Sequence, residues 1–503
     1  MASPTLSNAD LAPTRPEQRT WSAWHIAALW IGMAVCVPTY KLAASMIDAG
    51  MAWWQATLTV ALGNLIVLIP MILNGHPGAK YGIPFPVLMR ASFGTVGANI
   101  PAMARALVAC GWFGIQTWIG GDSIYQVLGG LHWVDLASDQ ARNTTMLGIT
   151  WWQLACFMVF WLVNVHFVWH GINSIKWLES WAAPFLIAGG LALMLWALWR
   201  VHEMTGSVGA VFSQRSRFAT AGDFWGVFVP QLTAMVGFWA TLSLNIPDFT
   251  RYARDQKSQA LGQAVGLPPT MTLFCFIGIV VTSATTIIFK ETIGDPVAVI
   301  GKLDSVTVTL VSLVMVSVAT LTTNIAANVV SPANDFSNLN PRRVSFRTGG
   351  MITAVIGIVM MPWYIYTHLT AYIFTWLIGY SALLGPIAGI MLCDYYILRR
   401  TRLNVDELYR ENGDFAYGGG GVNWRAVAAF VVAVAPNLPG FINAAMNRTN
   451  AAAAQHPEIH PIFPAVFDTI YSYAWFVGLA IGLGVYGTLM AGRVRADGSM
   501  PKV

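Results

Sequence analysis

Midway along an apolar run from about Ile100 to Leu128 the chain reads Gly111-Trp112-Phe113-Gly114-Ile115-Gln116. Trp112 and Gln116 stand one helical turn apart, so an indole and a carboxamide share one face. That pair can hold a flat ring: the indole stacks on its face, and the amide bonds N–H and C=O groups on its edge. A polar residue in an apolar helix can equally tie neighbouring helices together. The residues by themselves leave both readings open.

A second polar cluster is Ala319-Thr320-Leu321-Thr322-Thr323-Asn324-Ile325-Ala326-Ala327-Asn328. Asn324 and Asn328 lie on one face, and Thr322 and Thr323 offer two hydroxyls with no carboxylate nearby. Sodium takes hard oxygen ligands, and hydroxyls joined by carbonyls from a broken helix can replace its water. The alternative is that the threonines bond back to their own helix.

Other residues carry less. His166 and His170 have ligand-like spacing but no matching carboxylate, so no metal site is expected there. Asp248 and Arg251 read as an exposed ion pair of roughly 0–1 kcal/mol, with an inner-gate latch as the alternative. Asn64 reads as packing between helices. No HExxH, GxSxG or kinase-like set occurs, so the chain is not read as an enzyme, and no cofactor is expected.

These residues need a membrane scaffold to position them. Of 503 residues, 56% are hydrophobic and 10% charged, against about 25% charged in soluble proteins. At about 20 residues per crossing, twelve spans are read: 26–47, 53–74, 100–128, 151–169, 179–199, 224–246, 268–289, 305–330, 350–367, 371–397, 424–445 and 465–490. Numbered from an inside amino terminus, twenty of the 28 Lys and Arg fall on the inner side and seven on the outer, with Lys41 inside the first span. Both termini are therefore expected in the cytoplasm, and the basic balance reports topology rather than nucleic-acid binding.

Residues 1–22 read as a cytoplasmic amino-terminal tail, 23–490 as the transmembrane domain and 491–503 as a cytoplasmic tail. The first twenty residues are read as disordered. Asn74 to Pro86 is dense in turn formers and is read as non-helical, with Leu88 to Ser92 as an interfacial helix. Tyr417 to Gly421 is read as flexible linker. All five cysteines fall in spans without a CxxC pair, which argues against disulfides or zinc. The first span carries Gly32 and Pro38, the sixth Gly237 and Pro247. Matched breaks five spans apart point to a five-plus-five inverted repeat, about 23–200 and 222–398, with sites at the midplane and extra helices over 424–490. Ordinary kinking is the other explanation.

The chain resembles the nucleobase–cation symporter-1 family, which contains hydantoin and allantoin permeases and carriers of uracil and purines. The resemblance rests on Asn8 to Pro13 with Arg19-Thr20-Trp21, Val37-Pro38-Thr39-Tyr40, Tyr81 to Pro86 with Arg90 to Gly94, Gly111 to Gln116, Leu244 to Tyr252 and Thr322 to Pro332. It implies an all-α, twelve-helix LeuT-type fold with a 5+5 inverted repeat and two carboxyl-terminal helices, working by alternating access. It further implies Trp112 as the stacking residue, Gln116 and Asn328 as hydrogen-bonding partners with Asn324 beside them, and Gly237 and Phe238 lining the pocket. Phe238 stands where some hydantoin carriers have tryptophan, and Cys36 where several relatives have an amide. The implied sodium site comprises the carbonyls of Gly32, Val35 and Ala319 with the hydroxyls of Thr322 and Thr323.

The resulting expectation is a multi-pass inner-membrane symporter, working as a monomer, that imports a small planar amide-rich heterocycle. Sodium is the expected coupling ion and a proton the alternative. A vitamin-like or nucleoside ring, or an uncoupled channel or receptor, are the competing functions.

Overall fold

A computed structural model of the chain describes residues 3–494 except 171, 304, 368–370, 419 and 450–457. Residues 495–503 of the expected carboxyl-terminal tail, with Arg495 and Lys502, lie outside the described residues, as does the Lys176 side chain. The described chain is helical, with only two isolated β-bridges. Each of the twelve expected spans falls on helix. Among the described residues, six helices are individually long and apolar enough to cross a bilayer, or up to eight spans if two bent pairs are counted.

The first bent pair is α1 (Ala23–Ala34) and α2 (Val37–Asp48), at 60° to each other. Then come α3 (Trp53–Tyr81), α4 (Phe85–Phe93), α5 (Asn99–Gly130), α6 (Trp151–His170) and α7 (Ile172–Thr205). The second half runs through α8 (Ala221–Phe238), α9 (Ala240–Asn245), α10 (Gln256–Ile288), α11 (Val306–Asn328), α12 (Val330–Leu339) and α13 (Phe346–Val359). A π-helical stretch, Ala371–Leu377, leads into α14 (Ile378–Leu392). The chain closes with α15 (Trp424–Val434), α16 (Leu438–Ala445), α17 (Ala465–Ser472) and α18 (Ala474–Met490).

Sidedness follows from helical periodicity. Leu58, Leu62, Leu65 and Ile69 on α3 are all exposed, an apolar stripe at three- and four-residue spacing that suits lipid. The opposite face packs on α8 and α10. Helix α14 is clamped by α18 through paired glycines. A Cβ on Gly385 would lie 2.4 Å from Trp475 O, and one on Gly482 would lie 2.7 Å from Pro386 O. Small residues one turn apart on both helices permit this backbone-to-backbone approach.

Helix α3 corrects the reading of Asn74 to Pro86, since it continues unbroken to Tyr81 despite Pro70 and Pro77. Pro77 cannot donate to Leu73 O, and the Tyr396 hydroxyl supplies that bond at 2.7 Å. Neighbouring groups can thus complete a proline-containing helix in a membrane protein. Helix α4 does form, but it is buried along its whole length rather than interfacial.

The amino-terminal residues are not a loose tail. Ser3 N–H donates to Tyr409 O, Thr14 N–H to Gly82 O and the Asn8 amide to the Ser337 hydroxyl at 2.7 Å. Leu11 is fully buried. This segment straps one face of the bundle, where Arg19, Lys80, Arg90 and Arg399 also bond backbone carbonyls. The expected linker at Tyr417 to Gly421 is likewise tied down, with Gly421 O accepting from Val96 and Gly97 N–H.

Candidate functional site

Both helix breaks converge on one point. At the first, Val35 (φ −86°, ψ 83°) leaves the helix and Cys36 is extended. A continuing helix would send Cys36 N–H to Gly32 O. Here it goes to Ala34 O instead, and Gly32 O accepts the Thr323 hydroxyl at 3.1 Å. The second break falls at Trp239 (φ −102°, ψ 4°), between α8 and α9. It comes earlier than Pro247, the residue that drew attention in the sequence.

Between the breaks lies a cavity of about 20 Å³. Cys36, Trp112, Gln116, Phe238 and Asn328 line it, five of the seven residues expected to touch substrate. Thr323 lines it too, so the expected cation and substrate sets share a wall. A water needs roughly 10–15 Å³ by this measure, so the cavity as it stands is water-sized. A second cavity of about 500 Å³ shares Cys36 but is walled mainly by apolar side chains such as Leu193, Phe274 and Met315. It offers a polar ring few partners, and the small cavity is the better candidate.

Several expectations change here. Trp112 and Phe238 do not face each other in parallel: their centroids are 5.1 Å apart and their planes 69° apart, an edge-to-face contact. Gly237 points away from the cavity, because a Cβ there would lie 2.2 Å from Ser381 Oγ on α14. Asn324 sits one layer behind. Its amide N–H groups reach Phe113 O (3.2 Å), Thr117 Oγ1 (3.2 Å) and Asn164 Oδ1 (3.0 Å), while its Oδ1 accepts from Asn328 at 3.0 Å. It joins α5, α6 and α11 and orients Asn328.

The two threonines also part company. Thr322 bonds back to Ala319 O at 2.8 Å, the local alternative, whereas Thr323 crosses to α1. Asp248 and Arg251 make no ion pair with each other and are both buried. Asp248 accepts from Phe85 N–H at 2.9 Å, and Arg251 donates to Thr14 Oγ1 and Asp10 O. Asn64 bonds Val60 O in its own helix. Lys41 in the first span donates to Tyr366 O at 2.7 Å and lies over that residue's ring.

Met33, Trp239, Thr241, Leu242 and Ala327 also line the cavity. Spacing offered a signal for one of them: Ala327 is one turn after Thr323 on α11. Trp239, next to Phe238, brings an N–H donor to this wall, since its indole N–H is buried and unpartnered. Tyr372 and Trp376, presented by the π-helical turn, pack edge-on against Trp112. No periodicity pointed to them, because a π turn shifts the helical register.

Two broken spans meeting at a buried cavity of aromatic and amide groups form the arrangement of a secondary transporter. A family model described as permease for cytosine/purines, uracil, thiamine, allantoin matches residues 13–478, and the chain belongs to that family. It is 44% identical to a purine-uracil permease of Arabidopsis thaliana over 99% of this chain and 80% of that one. It is 38% identical to the allantoin permease of Bacillus subtilis over 98% of this chain and 95% of that one. Among solved structures it matches MHP1, a nucleobase-cation-symport-1 family transporter in a closed conformation with bromovinylhydantoin bound. That match has a TM-score of 0.75 at 27% identity and covers 96% of this chain and 95% of the other. The fold is LeuT-type, as the resemblance implied.

Proposed function

We propose that the protein imports a hydantoin, allantoin, uracil or purine-like ring, driven by sodium. The observation carrying the substrate class is a set of buried polar atoms without partners: Gln116 Oε1 and the indole N–H groups of Trp112 and Trp239. Each group left so costs about 1–3 kcal/mol. A ring with alternating C=O and N–H groups answers both the acceptor and the donors. Trp112 and Phe238 open from their edge contact to take the ring between them. Gln116 and Asn328 then bond its edge, with Cys36 as a weak partner alongside.

Sodium is supported by the neutral oxygen set around the first break. Gly32 O is freed from its helix and already met by Thr323, with Val35 O, Ala319 O and Thr322 Oγ1 completing the set. A cation there holds α1 against α11 and shapes the adjoining cavity wall. Such coupling is reciprocal and typically amounts to about 1–3 kcal/mol. The positive-inside rule supports the strapped, arginine-rich face as the cytoplasmic one, with both termini on the cytoplasmic side of the plasma membrane. The cavity is enclosed within a single helical bundle, which supports the monomer as the transporting unit.

The test is a thermal-shift panel of hydantoins, allantoin, purines and pyrimidines on purified protein, with and without sodium. A ligand that binds only the folded state raises apparent stability. A planar cyclic amide should shift the melting temperature, and more so in sodium. No shift from any of them defeats the substrate class, and equal shifts with and without sodium defeat the coupling ion.

A further inference from the structure

The densest buried charge lies away from the cavity, on the strapped face. Arg105 on α5 and Asp335 on α12 pair at 2.8 Å with both side chains fully buried. A second carboxylate, Asp248, is buried beside them in the turn after α9. Its Oδ1 accepts from Phe85 N–H on α4, while its Oδ2 has no partner. Asp335 Oδ1, Arg105 Nε and Nη2, and Asn245 Oδ1 are also unpartnered. Asn245 sits within hydrogen-bond reach of Ser331 on α12.

The charged groups facing Asp248 are few. From α5 comes Arg105, from α12 Asp335, and from its own turn Arg251. Arg251 aims Nε and Nη1 at Thr14 and Asp10 O of the amino-terminal segment. The Asp10 carboxylate accepts from Phe346 N–H. At the core of the cluster, Arg105 pairs with Asp335, and Asp248 is a buried carboxylate that makes no ion pair among the described residues. A carboxylate buried so, with a second one in its neighbourhood, is relieved when it keeps a proton.

Asp248 also has an outlet. It lines a cavity of about 300 Å³ together with Asp10, Thr14, Arg251 and Asn334. The same cavity touches Pro13 and Gln18, which are exposed. That volume admits several waters. Asp335 and Arg105 are absent from its lining, so of those three side chains only Asp248 reaches this space.

We propose that Asp248 is a proton-binding site: it holds a proton while the strapped face is closed and releases it to water in this cavity when α9 parts from α5 and α12. In that step the carboxyl O–H bond breaks, the proton passes to solvent, and a carboxylate remains that repels Asp335. Protonation therefore favours closure, and alkaline conditions on this side favour opening. The site exchanges with one side of the membrane only, so it sets gating without net proton transport. The choice of side rests on the cytoplasmic orientation proposed above; the gating itself does not depend on the substrate.

The experiment needs no substrate. Asn334→Cys places a thiol in the cavity wall, and its labelling by a membrane-impermeant maleimide reports opening. The five native cysteines are all buried, and the protein without the added cysteine gives their background. The Asn334→Cys protein and its Asp248→Asn derivative are labelled between about pH 6 and pH 8. Labelling in the Asp248→Asn background follows thiol ionisation alone and serves as the reference. With Asp248 present, the rate relative to that reference should rise with pH, approaching tenfold per unit below the carboxyl's pKa. Parallel profiles in the two backgrounds overturn the proposal. Should Asp248→Asn fail to fold, Asp335→Asn is the second variant: Arg105 then serves Asp248 alone, and the transition should move to lower pH. An unmoved transition overturns the proposal as well. Because the labelling is read without ligand, it stands or falls separately from the transport reading.

Discussion

The Thr323 hydroxyl donates to Gly32 O across 3.1 Å, joining α11 to the last turn of α1. Gly32 O is available because the chain breaks at Val35–Cys36 and the Cys36 N–H turns to Ala34 O. The bond thus links a helix break to a hydroxyl that also lines the small cavity.

This relationship separates the two threonines. Thr323→Ala removes the cross-helix oxygen and should weaken the sodium dependence of ligand binding about tenfold, or roughly 1.4 kcal/mol. Thr322→Ala should do less, because that hydroxyl is engaged with Ala319 O. Ligand affinity measured across a sodium titration checks both. A full sodium response in Thr323→Ala would return it to helix packing.

Gln116 carries an unpartnered buried acceptor beside the cavity. Gln116→Ala should lower heterocycle affinity at least about tenfold, since a hydrogen bond and a ligand group left unpaired together amount to roughly 1.5–3 kcal/mol. The melting temperature without ligand should hold steady. Retained affinity by isothermal titration would end its assignment to the substrate.

Asn324 should behave in the opposite way. Asn324→Ala breaks bonds to Phe113 O, Thr117, Asn164 and Asn328 at once. A loss of about 2–3 kcal/mol in stability is expected from leaving these groups unpaired, with ligand affinity falling as Asn328 loses its anchor. An unchanged melting temperature would show that the network contributes little.

Gly237 tests whether α8 must touch α14. The Cβ of Gly237→Ala would lie 2.2 Å from Ser381 Oγ and 3.0 Å from Leu377 O. Overpacking of this kind costs about 1–3 kcal/mol. Adding Ser381→Ala should recover part of it, because the nearer atom is removed. The two melting temperatures decide this, and equal values for single and double variants would locate the strain elsewhere.

The helical course of the expected spans was legible because apolar character over a membrane's width is a local property. Hydropathy summed over some twenty residues suffices, and every expected span does fall on helix. Pairs on one helix face were legible for the same reason: Trp112 with Gln116 follows from a 3.6-residue period, and both line one cavity. The Asn74 to Pro86 reading failed because it weighed prolines and glycines without their neighbours. The Tyr396 hydroxyl that completes the helix at Leu73 O is 323 residues away.

Residue types by themselves determined that this chain lives in a bilayer, that its first and sixth spans carry glycines and prolines at which a helix can break, and which polar side chains the spans carry. The tertiary structure decided which of those side chains face one another. Asn324 and Asn328 share a face, yet one is held among three helices and the other meets the cavity. Thr322 and Thr323 are adjacent, yet one bonds its own helix and the other bonds α1. Asp248 and Arg251 sit one turn apart, yet each finds its partners elsewhere. Spacing along one helix sets only a side chain's direction; its partner is set by the helix packed against that direction, which no local period encodes.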